Sequence, residues 1–217
     1  KDKIYNKTII SNNEVTHNGG GGVIWPLDQI ESVAEVARKH DLLLHLDGAR
    51  LWNASVASGI QEAEYAAMFD TVSVCFSKGL GAPVGSILAG SIPVIKKARF
   101  YRKQQGGAMR QVGILAEAAR YALEHNHDRL AEDHQNCRIL AKGLAKLDGI
   151  EIDSDGPETN MLFINTGDYV AADLVKQLES SGVRLLDTGP NTLRAVTNLT
   201  VSSEEISEVL IAFERII

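Results

Sequence analysis

Leu42-Leu43-Leu44-His45-Leu46-Asp47-Gly48-Ala49-Arg50 begins as a near-continuous apolar run and ends in a carboxylate, a glycine and a guanidinium. A run this short, with a histidine inside it, reads as a strand covered on both faces, as in a parallel sheet flanked by helices. Ligands of open α/β sheets bind outside the carboxyl ends of strands, which is where Asp47 and Arg50 emerge. The same two residues also suit a helix cap with its own ion pair. This segment alone therefore fixes a fold class and leaves its chemistry open.

Working outward, the neighbouring segments alternate in period. Lys7 to Ser11 is a short β-type run, followed by the loop Asn18-Gly19-Gly20-Gly21-Gly22. Pro26 and Asp28 open a helix carrying Ile30, Val33, Ala34, Val36 and Ala37 at three-to-four spacing, closing near His40. Ala49 to Ser58 predicts a second helix stopping at Gly59, and Thr71 to Phe76 and Gly85 to Ala89 predict further strands. Strands interleaved with helices at these lengths imply an α/β fold with a mostly parallel sheet. From Ile92 to about Leu147 the pattern is mainly helical, broken at Asn126-His127-Asp128. The last third predicts a strand Met161 to Asn165, a helix Ala171 to Ser181, strands Val183 to Leu186 and Leu193 to Val196, and a helix Ser203 to Ile216. A boundary near residues 124–128 divides a large part, 1–125, from a smaller α+β carboxyl-terminal part, 126–217.

Composition narrows the function classes. The 217 residues carry 22 basic and 28 acidic side chains, a net charge of −6, which argues against nucleic acid or an anionic membrane as the main partner. No apolar run reaches the roughly 18–20 residues that a membrane helix needs. The two cysteines, Cys75 and Cys137, cannot build a disulfide framework and suit a reducing compartment such as the cytoplasm.

Chemistry concentrates in three places. The first is the strand-end Asp47 with Arg50. The second is Phe76-Ser77-Lys78-Gly79-Leu80-Gly81-Ala82-Pro83-Val84-Gly85, where a lysine follows a strand and meets glycines that remove bulk around it. A partly desolvated amine there would be a nucleophile for carbonyls, whereas a lysine on a Gly-rich turn is more often simply solvated. The third is the basic stretch Arg99 to Gln111, with Arg102, Lys103 and Arg110 around Gly106-Gly107, either a solvated helix face or an anion site. A lysine for an aldehyde, a carboxylate for a pyridine nitrogen and arginines for anions together form the set that pyridoxal phosphate chemistry requires.

These segments, with Gly106-Gly107-Ala108-Met109-Arg110-Gln111, resemble the low-specificity L-threonine aldolases, pyridoxal-phosphate enzymes of the aspartate-aminotransferase fold. The resemblance runs in order from about Glu14 to Thr197. It implies the large domain of the fold-type-I enzymes, here incomplete, followed by a smaller domain. It also implies retro-aldol cleavage of L-threonine or L-allo-threonine to glycine and acetaldehyde. Lys78 resembles the family's Schiff-base lysine and Asp47 the partner of the pyridine nitrogen. Ser77, Arg50 and Arg110 fall among the cofactor-binding positions, with Arg110 as a phosphate contact. Arg50, Lys103 and Arg194 match positions that face the substrate, Arg194 clamping its carboxylate. Glu14-Val15-Thr16-His17-Asn18 is similar to the family's Glu-Asn-Thr-His segment, with Val15 replacing Asn. Family chains carry an amino-terminal portion ahead of this point, with a phosphate loop and a ring-stacking histidine; the expectation is the carboxyl-terminal two-thirds of an aldolase. The resemblance further implies a small β-hydroxy amino acid as partner and a homo-oligomer, dimer or tetramer; no metal site is expected. Another fold-type-I lyase or transaminase, or a catalytically impaired fragment, stays open as an alternative.

Overall fold

A computed structural model describes residues 10–153 and 156–217. Its elements follow in chain order as β1 (Ile10–Glu14), β2 (Thr16–His17), β3 (Val23–Ile24), α1 (Leu27–Lys39), β4 (Leu43–Gly48), α2 (Leu51–Ser58), α3 (Glu62–Ala66), β5 (Thr71–Cys75) and β6 (Ser86–Gly90). Then come α4 (Ile92–Gln104), α5 (Gly113–Asn126), α6 (Leu130–Leu144), β7 (Met161–Asn165), α7 (Ala171–Ser180), β8 (Leu186–Gly189), β9 (Thr192–Val196) and α8 (Ser203–Ile216). Of the strand expected over Lys7 to Ser11, residues 7–9 lie outside the described residues; the rest opens β1.

The first sheet has the order β1-β4-β5-β6, parallel at its first two pairings and antiparallel at the last. This agrees with the mostly parallel sheet read from sequence, with one refinement. Leu44, Leu46, Val72 and Val74 point into the core, whereas His45, Asp47, Thr71 and Ser73 are only half-buried and Leu43 is exposed. β4 is thus covered on one face, not both. The alternation of Leu44 and Leu46 with His45 and Asp47 is the period-two signature of that arrangement. The core behind this face adds Val15, Ile30, Leu51, Ala54 and Tyr65. α1 supplies Ile30 and Ala37 and terminates at Asp41, whose φ of 55° reverses the chain into β4.

The second sheet is antiparallel throughout, in the order β7-β9-β8. It packs with α6, α7 and α8 around Leu140, Leu144, Leu162, Ile164, Leu178, Leu193 and Phe213. The strand expected at Val183 to Leu186 begins instead at Leu186. The Gly182 amide donates to the Glu179 carbonyl and the Val183 amide to the Leu178 carbonyl, so these residues close α7 before pairing with β9 can start. The short α3 is an element that sequence period did not reveal; its support is a capping box between Gln61 and Glu64.

Leu80, Ala82, Ala122 and Leu130 form a third cluster under the turn that follows β5. A methyl group at Gly79 would stand 2.7 Å from Leu130 Cδ2 and 3.1 Å from Asn53 Oδ1. Gly81 has a φ of +73°, and a methyl there would overlap Leu199 Cδ2. Gly79→Ala should lower stability to urea by about 2 kcal/mol through overpacking. Gly113→Ala, with open space around its α-carbon, should stay within about 0.5 kcal/mol of the parent.

Candidate active site

β4 and β5 run in parallel, and Asp47 and Lys78 leave from their adjacent carboxyl ends. Asp47 is the penultimate residue of β4, opposite Glu14 of β1 and Ser73 of β5. Its Oδ1 accepts from the Ala49 amide at 3.1 Å, which fixes the carboxylate at the start of the following turn. Two residues earlier on the same face, His45 is held from both ring nitrogens, Nδ1 2.7 Å from Thr71 Oγ1 and Nε2 3.5 Å from Ser73 Oγ.

Lys78 lies three residues beyond β5 in a turn closed by the Gly81 amide on the Lys78 carbonyl (2.8 Å) and the Ala82 amide on the Phe76 carbonyl (3.0 Å). Asn126 Nδ2 donates to the Leu80 carbonyl at 2.8 Å. The side chains of Lys78 and Ser77 are exposed. The desolvation expected around the amine is therefore absent among the described residues; what singles Lys78 out is a rigid backbone under an accessible side chain.

The arginines divide. Arg50, which precedes α2, and Arg194, on β9, stand 144 positions apart (194 − 50) yet meet at one atom. Arg50 Nη2 donates to Asn18 Oδ1 at 3.1 Å and Arg194 Nη1 donates to the same oxygen at 3.3 Å. The Nε of Arg194 is buried without a partner. Burial lowers the Arg50 pKa and the neighbouring Arg194 adds to this, while Glu14, Cys75 and Asp47 act against them. The pair is accordingly a half-desolvated dication with an unused donor, which suits an anion such as a carboxylate. Lys103 and Arg110, by contrast, are exposed on the last turn of α4 and in the loop beyond it, and neither makes an ion pair among the described residues. Arg99 and Arg102, from the same basic stretch, line a cleft with Ser73, Ser86 and Leu88.

Asn18 is the residue that sequence reasoning quoted as the start of a glycine loop and the end of the Glu14–Asn18 segment, with no contact assigned to it. The loop can bring its amide to both arginines because it seats against β7: a methyl at Gly22 would lie 2.5 Å from Thr159 Oγ1, whose hydroxyl donates to the Gly22 carbonyl. Val15, where the related motif has Asn, is fully buried in the first core, so its side chain makes no polar contact there. Sequence reading also missed Glu14 as a counter-charge to Arg50 and the buried trio Asn53, His134 and Asn160; only Asn53, a polar residue between Trp52 and Ala54 of α2, left a signal in the pattern.

The Beta-eliminating lyase family model matches residues 3–167. The chain is 40% identical over 205 residues to a low-specificity L-threonine aldolase 1 of Arabidopsis thaliana, covering 93% of this chain and 57% of that one. It is 41% identical over 203 residues to a low specificity L-threonine aldolase of Escherichia coli K12, covering 94% of this chain and 59% of that one. It therefore spans a little under three-fifths of the length of these curated relatives. Among solved structures, a threonine aldolase of Leishmania major superposes with a TM-score of 0.78 at 21% identity, over 96% of this chain and 61% of that one. A serine palmitoyltransferase of Sphingomonas wittichii superposes with a TM-score of 0.74 at 22% identity, over 96% and 54% respectively. These two likenesses are of fold.

Burial beside Arg138 pushes the His134 imidazole down to about 4. An unfolded histidine titrates near 6.5, so the unfolded chain binds the proton first and acid costs stability. Stability attributable to His134 is complete above pH ~6.5 and should fall by about 2–3 kcal/mol as the pH drops to ~4. His127 acts in the opposite sense: burial alone would lower its pKa, but Asp128 and Glu62 hold it above the ordinary value, so its contribution fades as pH rises. Urea titrations at neutral and acid pH should show a smaller acid loss in His134→Gln than in the parent.

Proposed function

This chain belongs to the beta-eliminating lyase family, and on that premise we propose that it serves retro-aldol cleavage of L-threonine or L-allo-threonine to glycine and acetaldehyde, with pyridoxal phosphate as cofactor. The observation that carries this reading is the convergence of Arg50 and Arg194 on Asn18 with Arg194 Nε buried and unpaired, at the sheet end from which Asp47 and Lys78 also leave. The threonine aldolase names of the curated relatives support it.

The donor set fits the cofactor: an accessible amine, a carboxylate fixed at a strand end, and guanidiniums with a free donor. When bound, pyridoxal phosphate supplies an aldehyde for amines and a ring that accepts an electron pair. Lys78 would hold that aldehyde until the substrate amine replaces it. Asp47 would keep the ring nitrogen protonated. Ser77 and Arg110 would serve the phosphate, and Lys103 would line the substrate side. Arg194, with Arg50, would grip the substrate carboxylate and so limit rotation about Cα, which selects the bond that breaks. In the reaction the Cα–Cβ bond breaks, the β-hydroxyl loses its proton as acetaldehyde forms, and Cα takes up a proton to give glycine. His45, tied at both nitrogens to Thr71 and Ser73, reads as a lining residue, not as the base.

The same reading divides the chain near residue 125 into a large and a small part, supported by the separate core clusters on either side. It also places the protein in the cytoplasm as a homo-oligomer, dimer or tetramer. The unpaired Cys75 and Cys137 suit such a compartment. The exposed Ile92, Phe100 and Ile114 on α4 and α5, the last 80% accessible, suit a covered face. No helix among the described residues is long and apolar enough to cross a membrane.

Purified protein given pyridoxal phosphate should turn yellow, and borohydride should fix the cofactor on Lys78 by mass, with no fixation at that site in Lys78→Ala. Threonine should yield acetaldehyde and glycine; a keto acid would point instead to elimination or transamination. Arg194→Ala should raise KM for threonine on the order of a hundredfold, the loss of charge-assisted contacts to one carboxylate.

A further inference from the structure

Asn53 is 2% exposed on α2, and its carboxamide lies directly beneath the peptide that follows Lys78: a methyl at Gly79 would sit 3.1 Å from its Oδ1 and 3.4 Å from its Nδ2. The Nδ2 group faces two buried acceptors, His134 Nε2 of α6 at 3.0 Å and Asn160 Oδ1 at 3.4 Å. An amide nitrogen only donates, so His134 Nε2 carries no proton and accepts. Asn160, just ahead of β7, passes the connection on. Its Nδ2 donates to the Thr197 carbonyl at 2.8 Å, and its carbonyl accepts from the Thr197 amide at 3.0 Å. Thr197 Oγ1 is anchored in turn on the Asp133 carbonyl at 2.6 Å. Thr197 is the residue after β9, three positions beyond Arg194.

Asn53 packs against the turn that presents Lys78, and from it a buried chain of polar contacts runs to the strand that presents Arg194. Asn53, His134, Asn160 and Thr197 are all at most 3% exposed. Interior groups of this kind adopt one arrangement or lose their hydrogen bonds outright, so the link is stiff. We propose that Asn53, backed by His134 and Asn160, is a positioning residue that fixes the Lys78 turn against the Arg194 strand. It thereby sets the reach between amine and guanidinium to that of an α-amino acid. The inference rests on the roles proposed above for Lys78 and Arg194. An α-amino acid places one carbon between its nitrogen and its carboxylate, and a β-amino acid places two. A rigid spacing accepts the first and strains the second, and a loosened spacing discriminates less.

The experiment compares the parent chain with Asn53→Ala and with His134→Gln, whose Oε1 can accept the same bond. Glycine and β-alanine are the probes, with apparent affinities read from the visible absorbance of protein loaded with pyridoxal phosphate. Hydrogen exchange of the apoprotein is followed in parallel. The parent should prefer glycine, and in Asn53→Ala that preference should shrink about tenfold, roughly one hydrogen bond's effect, while His134→Gln should keep it. In the apoprotein, Asn53→Ala should speed exchange in residues 78–82 and 194–198 but not in α1. A general loss of stability would instead speed exchange throughout and weaken both probes alike; that result, or an unchanged ratio in folded Asn53→Ala, would overturn the proposal. If the parent takes no cofactor on Lys78, the functional reading fails and this inference with it. That outcome is distinct, because it is seen before any variant is made.

Discussion

Everything about the candidate site depends on a turn from which side chains have been removed. α2, α5, α6 and the loop after β9 all touch residues 79–81, through Asn53, Asn126, Leu130 and Leu199. Close approach from four directions is possible only because Gly79 and Gly81 have no β-carbon. The result is an amine exposed to solvent on a backbone hydrogen-bonded into a closed turn. A lysine on an ordinary loop would carry the same charge but no defined direction.

The electrostatics follow a complementary logic. Two guanidiniums at close range repel, and burial adds to the penalty on Arg50. A carboxylate between them would remove the repulsion and with it the attraction for any incoming anion. The oxygen that joins them belongs to an amide, Asn18, which satisfies one donor on each without cancelling either charge. Compensation comes from Glu14 and Asp47, near enough to offset the field and placed on the neighbouring strands rather than between the arginines.

Much of the fold was legible because the elements keep their periods. The apolar spacing over Ile30, Ala34 and Ala37 gave α1, and the helix read over Ser203 to Ile216 is α8, which the structure shows to be capped by Ser202 and Glu205. Where legibility failed, a local rule was overridden. Leu42 to Leu46 reads as near-continuously apolar, but His45 and Asp47 turn one face of the sheet polar. Val183 looks like a strand residue and is used to end a helix. Within the candidate site, Asp47, Arg50 and Lys78 were identifiable because they carry charge at or just beyond the ends of apolar strands, whereas Arg194, inside β9, was reached only through the family resemblance. Asn18 and Asn53 were not, since an amide is marked only by what it touches, and their partners lie between 32 and 176 positions away.

That separation has a kinetic side. The glycine loop at residues 18–22 meets Thr159, and Asn18 meets Arg194, so the arginine pair closes one of the longest loops in the chain. Each hydrophobic cluster can condense from nearer neighbours, but this closure must wait until the clusters on either side of it have formed, because its entropy is repaid by few contacts. A refolding chain would therefore regain its helices and larger sheets before it regains the arginine pair, and anion affinity would be the last property to return.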